Sequence, residues 1–284
     1  MNIIIVALGI IPEYLDDCIN QINLTQKNHT IHLIKNRSSN YTNDNCLITN
    51  VENIPISKKH SYFIKKSKLV NKKFRNYFWR YSTERLYVID DYINAKNLND
   101  IIHIETDVLL YQDLELIMPI LKEFDFACVR DSAIRVIGSI IYIKNKKVSE
   151  KISSIANDYI NENDMIILHQ IEKKIGNTLC LPIGDHDIYK DNLKYIFDGA
   201  SIGQFVGGID PRNKSGKIMS FINNIKAFFN ERNAVSFVNK NSKINVSEWE
   251  IKWINSRPYK KINNDLIPIV NLHIHSKNLK KFMQ

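Results

Sequence analysis

The chain has 284 residues, 44% of them hydrophobic, enough to bury the core of one large α/β domain or two small ones. No apolar run approaches the roughly 18 residues of a membrane span, and the apolar start Ile3 to Ile11 has neither a basic leader nor a small-residue cleavage site, so a cytoplasmic protein is expected. The formal charge of +9 is concentrated in Lys58, Lys59, Lys65, Lys66, Lys68, Lys72, Lys73, Arg75 and Arg80, and again at Lys277, Lys280 and Lys281, which suits a polyanion or an anionic membrane surface.

In chain order, Asn2 to Gly9 is an apolar run closed by glycine. A helical pattern through Tyr14, Leu15, Cys18, Ile19 and Ile22 follows, and then a second apolar run, Ile31 to Ile34. This is a β-α-β unit, the opening of a parallel sheet with helices on its faces. Gly9 would let the backbone approach a ligand. Cys18, Cys46, Cys128 and Cys180 are far apart and form no paired ligand motif, so neither a disulfide framework nor a zinc site is expected. Residues 36 to 60 read as loops and a minor strand. The period of Leu86, Ile89 and Ile93 predicts a helix from Ser82 or Thr83 as N-cap, with Arg80 and Arg85 near its start.

Ile101 to Tyr111, Ile-Ile-His-Ile-Glu-Thr-Asp-Val-Leu-Leu-Tyr, reads as a buried strand whose end drives Glu105 and Asp107 out on one face. Acid-any-acid spacing recurs at Asp113/Glu115, Glu123/Asp125, Glu162/Asp164, Asp185/Asp187 and Glu248/Glu250, so spacing alone decides nothing. Context does: this pair follows an apolar strand directly and precedes another apolar run. Acids at the carboxyl end of a central strand lie where open α/β sheets bind ligands, and two together can hold a divalent cation through hard oxygens.

Beyond them, Asp113 to Lys122 reads as helix, Phe124 to Val129 and Ile137 to Ile143 as strands, Val148 to Ile160 and Asp164 to Ile175 as helices, and Thr178 to Ile183 as a short strand. Phe197 to Pro211 holds four glycines within ten residues, which reads as backbone passing close to something. Ile267 to Lys277 reads as a strand that puts His273 and His275 on one side, with Ser276 and Lys277 after them. A nucleotide diphosphate held through a divalent cation needs acids, a further ligand and cations beside the phosphates. Glu105, Asp107, His273 or His275, Lys277 and Arg85 supply each part.

Gly9-Ile-Ile-Pro12, Ser82-Thr-Glu-Arg85, the Glu105-Thr106-Asp107 strand and His273-Ile-His275-Ser-Lys277 together resemble GT-A-type, metal-dependent glycosyltransferases that use nucleotide sugars, and most of all uncharacterised viral and bacterial members of that clan. The resemblance implies an α/β fold with a Rossmann-like, mixed but mostly parallel sheet flanked by helices and a C-terminal segment that closes the donor site. It implies Mn or Mg held by Glu105, Asp107 and either His273 or His275, with Asp107 the firmer contact, and donor contacts from Leu8, Gly9, Arg85, Glu105, Thr106 and Lys277. Here Glu stands at the first acid of the family's Asp-any-Asp motif, and the His-to-Lys spacing departs from the family's.

Acceptor contacts fall by position on Gln204, Gly208 and Asp210. An inverting reaction would need a carboxylate base, for which Asp198 comes first and Asp164 second; a retaining one would need none. The resemblance implies one catalytic domain over 1–284, with a nucleotide-sugar half over 1–130, an acceptor half over 131–213 and a closing segment over 256–284; the stretch 214–255 matches nothing in the family and, being polar with helical stretches, reads as a mobile excursion. Partners would be a nucleotide-diphosphate sugar and a glycan, lipid-linked or protein acceptor, with a peripheral anionic-membrane contact through the basic run and no nucleic acid. The alternatives are a metal-dependent nucleotidyl or phosphoryl transferase, which would gather further acids around the metal, and a basic nucleic-acid-binding protein using the Lys58 to Arg80 face.

Overall fold

The computed structural model describes residues 1–69, 76–185, 187, 193–208 and 242–284. Lys72, Lys73 and Arg75 of the basic run, the acceptor candidate Asp210 and most of the excursion expected over 214–255 lie outside the described residues.

The opening β-α-β unit is β1 (Asn2–Ala7), α1 (Leu15–Thr25) and β2 (Thr30–Lys35), followed by β3 (Leu47–Asn50). α2 (Lys58–Lys66) starts at Ser57, whose hydroxyl accepts from His60 N at 3.2 Å, and leads to α3 (Phe78–Lys96) and β4 (Ile101–Ile104). Then come β5 (Val108–Leu110), a short α4 (Met118–Leu121), β6 (Phe126–Arg130) and β7 (Val136–Ile143). α5 (Lys146–Asp158) and α6 (Asp164–Lys174) are capped by Asn145 and Asn163, whose side chains accept the N–H three residues on. β8 (Thr178–Cys180), α7 (Ser201–Gly207), β9 (Ile251–Ile254), β10 (Arg257–Ile262), β11 (Asp265–Pro268) and β12 (Asn271–His273) complete the described elements.

Seven strands form one sheet in the order β3-β2-β1-β4-β7-β6-β8, parallel except where β7 runs against both neighbours. This is the mostly parallel α/β sheet expected. Its central strands are mostly apolar and buried because both faces are covered, while the edge strand β3 is partly exposed. Ile3 and Ile5 of β1, Ile102 and Ile104 of β4, and Ala127 and Val129 of β6 face a layer built from α1, β5, β12 and the C-terminal residues. Ile4, Ile101, Phe126 and Cys128 face the layer of α2, α3, α5 and α6. No helix among the described residues is long and apolar enough to cross a membrane.

Several expectations about elements are corrected: the run Ile267 to Lys277 is split between β11 and β12, which lie in different sheets, and Asp113 to Lys122 holds a 3-10 turn, Leu114–Leu116, before the four-residue α4. α3 begins at Phe78, a turn before Ser82 and Thr83, because Asn76 and Tyr77 take left-handed backbone (φ 49° and 65°) and stop the chain just before it; neither Ser82 nor Thr83 is an N-cap. The run Ile101 to Tyr111 is not one strand. β4 ends at Ile104, a turn closed by Val108 N donating to Glu105 O (3.2 Å) carries the acids, and β5 leaves the large sheet to pair antiparallel with β12. Leaving the sheet frees the carboxylates from the apolar layer that covers it.

Candidate active site

β1 and β4 are parallel neighbours in register Ile4 with His103, so the loop after β1 and the turn after β4 lie side by side at the carboxyl end of the sheet. That turn supplies Glu105, Thr106 and Asp107, the loop Leu8 and Gly9. β12, in register His273 with Val108, brings His273 to the same point from the far end of the chain. Ile274 N donates to Asp107 O at 2.8 Å, which fixes the two segments against each other just past the pairing.

One ligand atom each from Glu105, Asp107 and His273 lies within 4.8 Å of the others. His273 Nε2 is 3.3 Å from Glu105 Oε2 and 3.1 Å from Asp107 Oδ2. Its Nδ1 is 2.6 Å from the Gly199 carbonyl oxygen, which can only accept, so Nδ1 carries a proton and Nε2 is the nitrogen presented to the acids. Lys277, held in left-handed backbone at φ 65°, reaches Asp107 Oδ2 with its ammonium. Arg85, from the third turn of α3, bridges Glu105 Oε1 and, at 2.6 Å, Asp164 Oδ2 at the start of α6. A Cβ at position 138 would come within 2.5 Å of that guanidinium, so Gly138 of β7 leaves the room Arg85 occupies.

The electrostatics follow from this contact list. Burial works against the charged imidazole of His273, but Asp107 and Glu105 outweigh it and hold its pKa up to about 9. Burial likewise opposes the ionised Asp107, and His273 and Lys277 overcome it, holding that carboxyl well below the usual range. At Glu105 burial is overcome by Arg85 and then His273, again downward, whereas at Asp164 burial wins over Arg85 and pushes the carboxyl up. Two carboxylates that keep a proton on Nε2 at neutral pH present the charge a divalent cation needs at the same point.

Asp198, the first-choice base, is buried, and its carboxylate accepts three backbone N–H groups: Ile202 to Oδ1 at 2.9 Å, Gly203 to Oδ2 at 2.7 Å and His273 to Oδ2 at 2.9 Å. It joins the start of α7 to β12. Asn271 strengthens the joint, accepting from Asp198 N at 3.1 Å and donating to Asp198 O at 2.9 Å. The close approach read from the glycine-rich segment is at Gly203, where a Cβ would overlap the His273 carbonyl oxygen. Of the acceptor candidates, Gln204 is buried with Nε2 3.3 Å from His275 Nδ1, and Gly208 ends α7 at φ 85°. The His275 and His273 rings are 4.3 Å apart although β12 ends at His273, so the two do meet on one side.

Two aromatic residues at the site were not among the site candidates read from the sequence. Tyr14 lies beneath Lys277, its ring centroid 5.6 Å from Nζ. Tyr81 packs on Gly9, where a Cβ would come within 2.8 Å of its ring, so the left-handed glycine (φ 80°) makes room for Tyr81, and Gly9 N donates to Asn36 Oδ1 at 2.6 Å. Neither position carries a charge or a motif that would have singled it out.

No protein-family model and no curated protein matches the chain. Solved structures are similar in part. The galactosyltransferase LgtC, solved with donor and acceptor sugar analogs, is 13% identical over 64% of this chain and 73% of its own, with a TM-score of 0.42. The glycosyltransferase GlyE of Streptococcus pneumoniae TIGR4 is 12% identical over 63% of this chain and 44% of its own, with a TM-score of 0.40, so the chain spans less than half the length of that protein. The PaToxG glycosyltransferase is 8% identical over 87% of this chain and 82% of its own, with a TM-score of 0.42. All three are glycosyltransferases.

Proposed function

We propose that the chain is a glycosyltransferase that moves a sugar from a nucleotide diphosphate to a glycan, lipid-linked or protein acceptor. The observation that carries this reading is the convergence of Glu105, Asp107 and His273 within 4.8 Å, with Lys277 and Arg85 in contact with the same carboxylates. Two carboxylates and an imidazole whose Nε2 is aimed between them fit Mn or Mg, and His275 beside them can hold the His273 ring in place. Such an ion neutralises a diphosphate and so eases its departure.

The chain's own groups account for the rest. Lys277 sits on a short turn after β12 and can turn from Asp107 toward a phosphate, while Arg85 keeps Glu105 ionised and oriented. Leu8, Gly9 and Thr106 border the same end of the sheet, and this reading gives Gln204 and Gly208 to the acceptor. Asp198 and Asp164 are better read as positioning residues than as a base, because the first gives its carboxylate to three N–H groups and the second is paired with Arg85. A nucleotidyl or phosphoryl transferase with two metals would gather more acids than the one histidine-containing group found among the described residues.

The test is a thermal-shift panel of UDP, GDP, dTDP and CDP sugars with and without Mn, repeated on Asp107→Ala. Bound ligand stabilises by mass action, so one base should raise Tm in a Mn-dependent way in the native chain and fail to do so in the variant. A nucleotide shift indifferent to Mn, or equal in Asp107→Ala, would sink the reading.

A further inference from the structure

α2 turns His60 and Phe63 inward, where Phe63 stacks on Tyr87 of α3 at 4.7 Å between ring centroids and His60 Nδ1 meets Asp91 Oδ2 at 2.7 Å. Away from that contact Tyr62 and Ile64, 50% and 37% exposed, stand about 160° apart around the helix, with the exposed Lys58 and Lys65 on the arc between them and the exposed Lys66 beside Tyr62. Ile56, 54% exposed, precedes the helix and the exposed Lys68 follows it. No acidic residue occurs between Asn53 and Leu69. α5 lies against α2, with Lys59 Nζ donating to Glu150 O at 2.6 Å and to Ser153 Oγ at 3.2 Å, and it adds the exposed Lys146, Lys147 and Lys151. The exposed acids nearby are Glu150, Asp158 and Glu162, of which Glu150 faces Lys146 at 4.0 Å and Asp158 faces Lys174 at 3.4 Å, while Asp91 and Glu84 pair inward with His60.

Ile56, Tyr62 and Ile64 are three exposed apolar side chains in a segment that also holds the exposed Lys58, Lys65, Lys66 and Lys68 and no acid. Lysines around a tyrosine and two isoleucines suit an anionic lipid surface, where the ammonium heads reach phosphates and the apolar groups enter the headgroup boundary. Nucleic acid would use flat aromatic faces for stacking and would gain little from Ile56 and Ile64. We propose that this face of α2, extended by α5, docks the protein on an anionic membrane. The proposal is independent of the transferase reading and survives or fails without it.

The full chain is sedimented with vesicles of phosphatidylcholine alone and of phosphatidylcholine mixed with phosphatidylglycerol, at low and high salt. Binding is expected to the mixed vesicles only and to weaken with salt. Changing Lys58, Lys65, Lys66 and Lys68 together to Ser is expected to lower the affinity at least about tenfold. Changing the same four to Arg keeps the charge and should keep the binding. Ile64→Ser should weaken binding about threefold with the salt dependence unchanged. All these positions are exposed, so Tm should stay at the native value and report intact folding. Equal binding to both vesicle types, undiminished binding of the Ser variant, or no binding to the anionic vesicles overturns the proposal; the last result with tight oligonucleotide binding would make this face a nucleic-acid surface.

Discussion

At the scale of single residues, the site depends on side chains that touch no reactant. Asp198 illustrates this: a carboxylate offers enough lone pairs for three N–H donors, and an amide oxygen does not. In Asp198→Asn one amide hydrogen would face a backbone N–H, leaving a buried donor unsatisfied at a cost of about 1–3 kcal/mol. Because His273 N is one of the three donors, the loss should also misplace the His273 ring. The expected result is a Tm lowered by several degrees together with a weaker Mn-dependent nucleotide shift. A general base in contact with the acceptor would behave differently: Asp198→Asn would then lose turnover while stability and donor binding stayed native, and that pattern would refute the positioning role.

At the scale of elements, α2 is tied to α3 through one buried histidine. His60 Nδ1 meets Asp91 Oδ2 at 2.7 Å and Nε2 meets Glu84 Oε1 at 3.4 Å, while Asp91 Oδ1 also accepts from Ser57 N at 3.1 Å, just before the helix begins. Burial lowers the pKa of His60, but Asp91 and Glu84 outweigh it and raise it from 6.5 to about 9. A folded-state pKa above the unfolded one means that the pairing contributes its full stability below pH 6.5 and loses it as pH rises through about 9. Its size is on the order of 3 kcal/mol. The Tm difference between the native chain and His60→Gln should therefore be largest near pH 6 and shrink toward pH 9.5; a difference that grew with pH would contradict the pairing. Elements of this kind were only partly legible in the sequence. Continuous apolar strands such as Ile3 to Ile5 announced a sheet covered on both faces, and helical periods placed α3, α5 and α6 to within a few residues. The start of α3 escaped because it is set by left-handed backbone at Asn76 and Tyr77, and the break after Ile104 escaped because Val108 to Leu110 is as apolar as β4.

At the scale of the whole molecule, the candidate site exists only when two segments 170 residues apart have met, as the contact of Lys277 with Asp107 shows. The acids and the histidine pair each stood out in the sequence, since charge and imidazole in apolar strands need a reason. What holds them together was legible only at the glycine-rich segment, where Gly203 lies; Asn271 and the chain end form no pattern. The closing segment is held by burial: Leu272 and Leu279 are fully buried, Phe282 is 7% exposed, and Tyr111 Oη donates to Phe282 O at 2.7 Å. Its side chains belong to the same core as β1, β4 and α1, so it should melt with them. Phe282→Ala should cost about 3–5 kcal/mol and lower Tm in a single cooperative transition. Lys277→Ala, by contrast, removes a partly exposed ammonium and should weaken the nucleotide-dependent shift far more than it changes Tm. Calorimetry of the native chain and both variants decides the matter. An early, separate transition in Phe282→Ala, followed by native melting of the rest, would mean that the C-terminal segment is a detachable cover and that the site can open without unfolding the sheet beneath it.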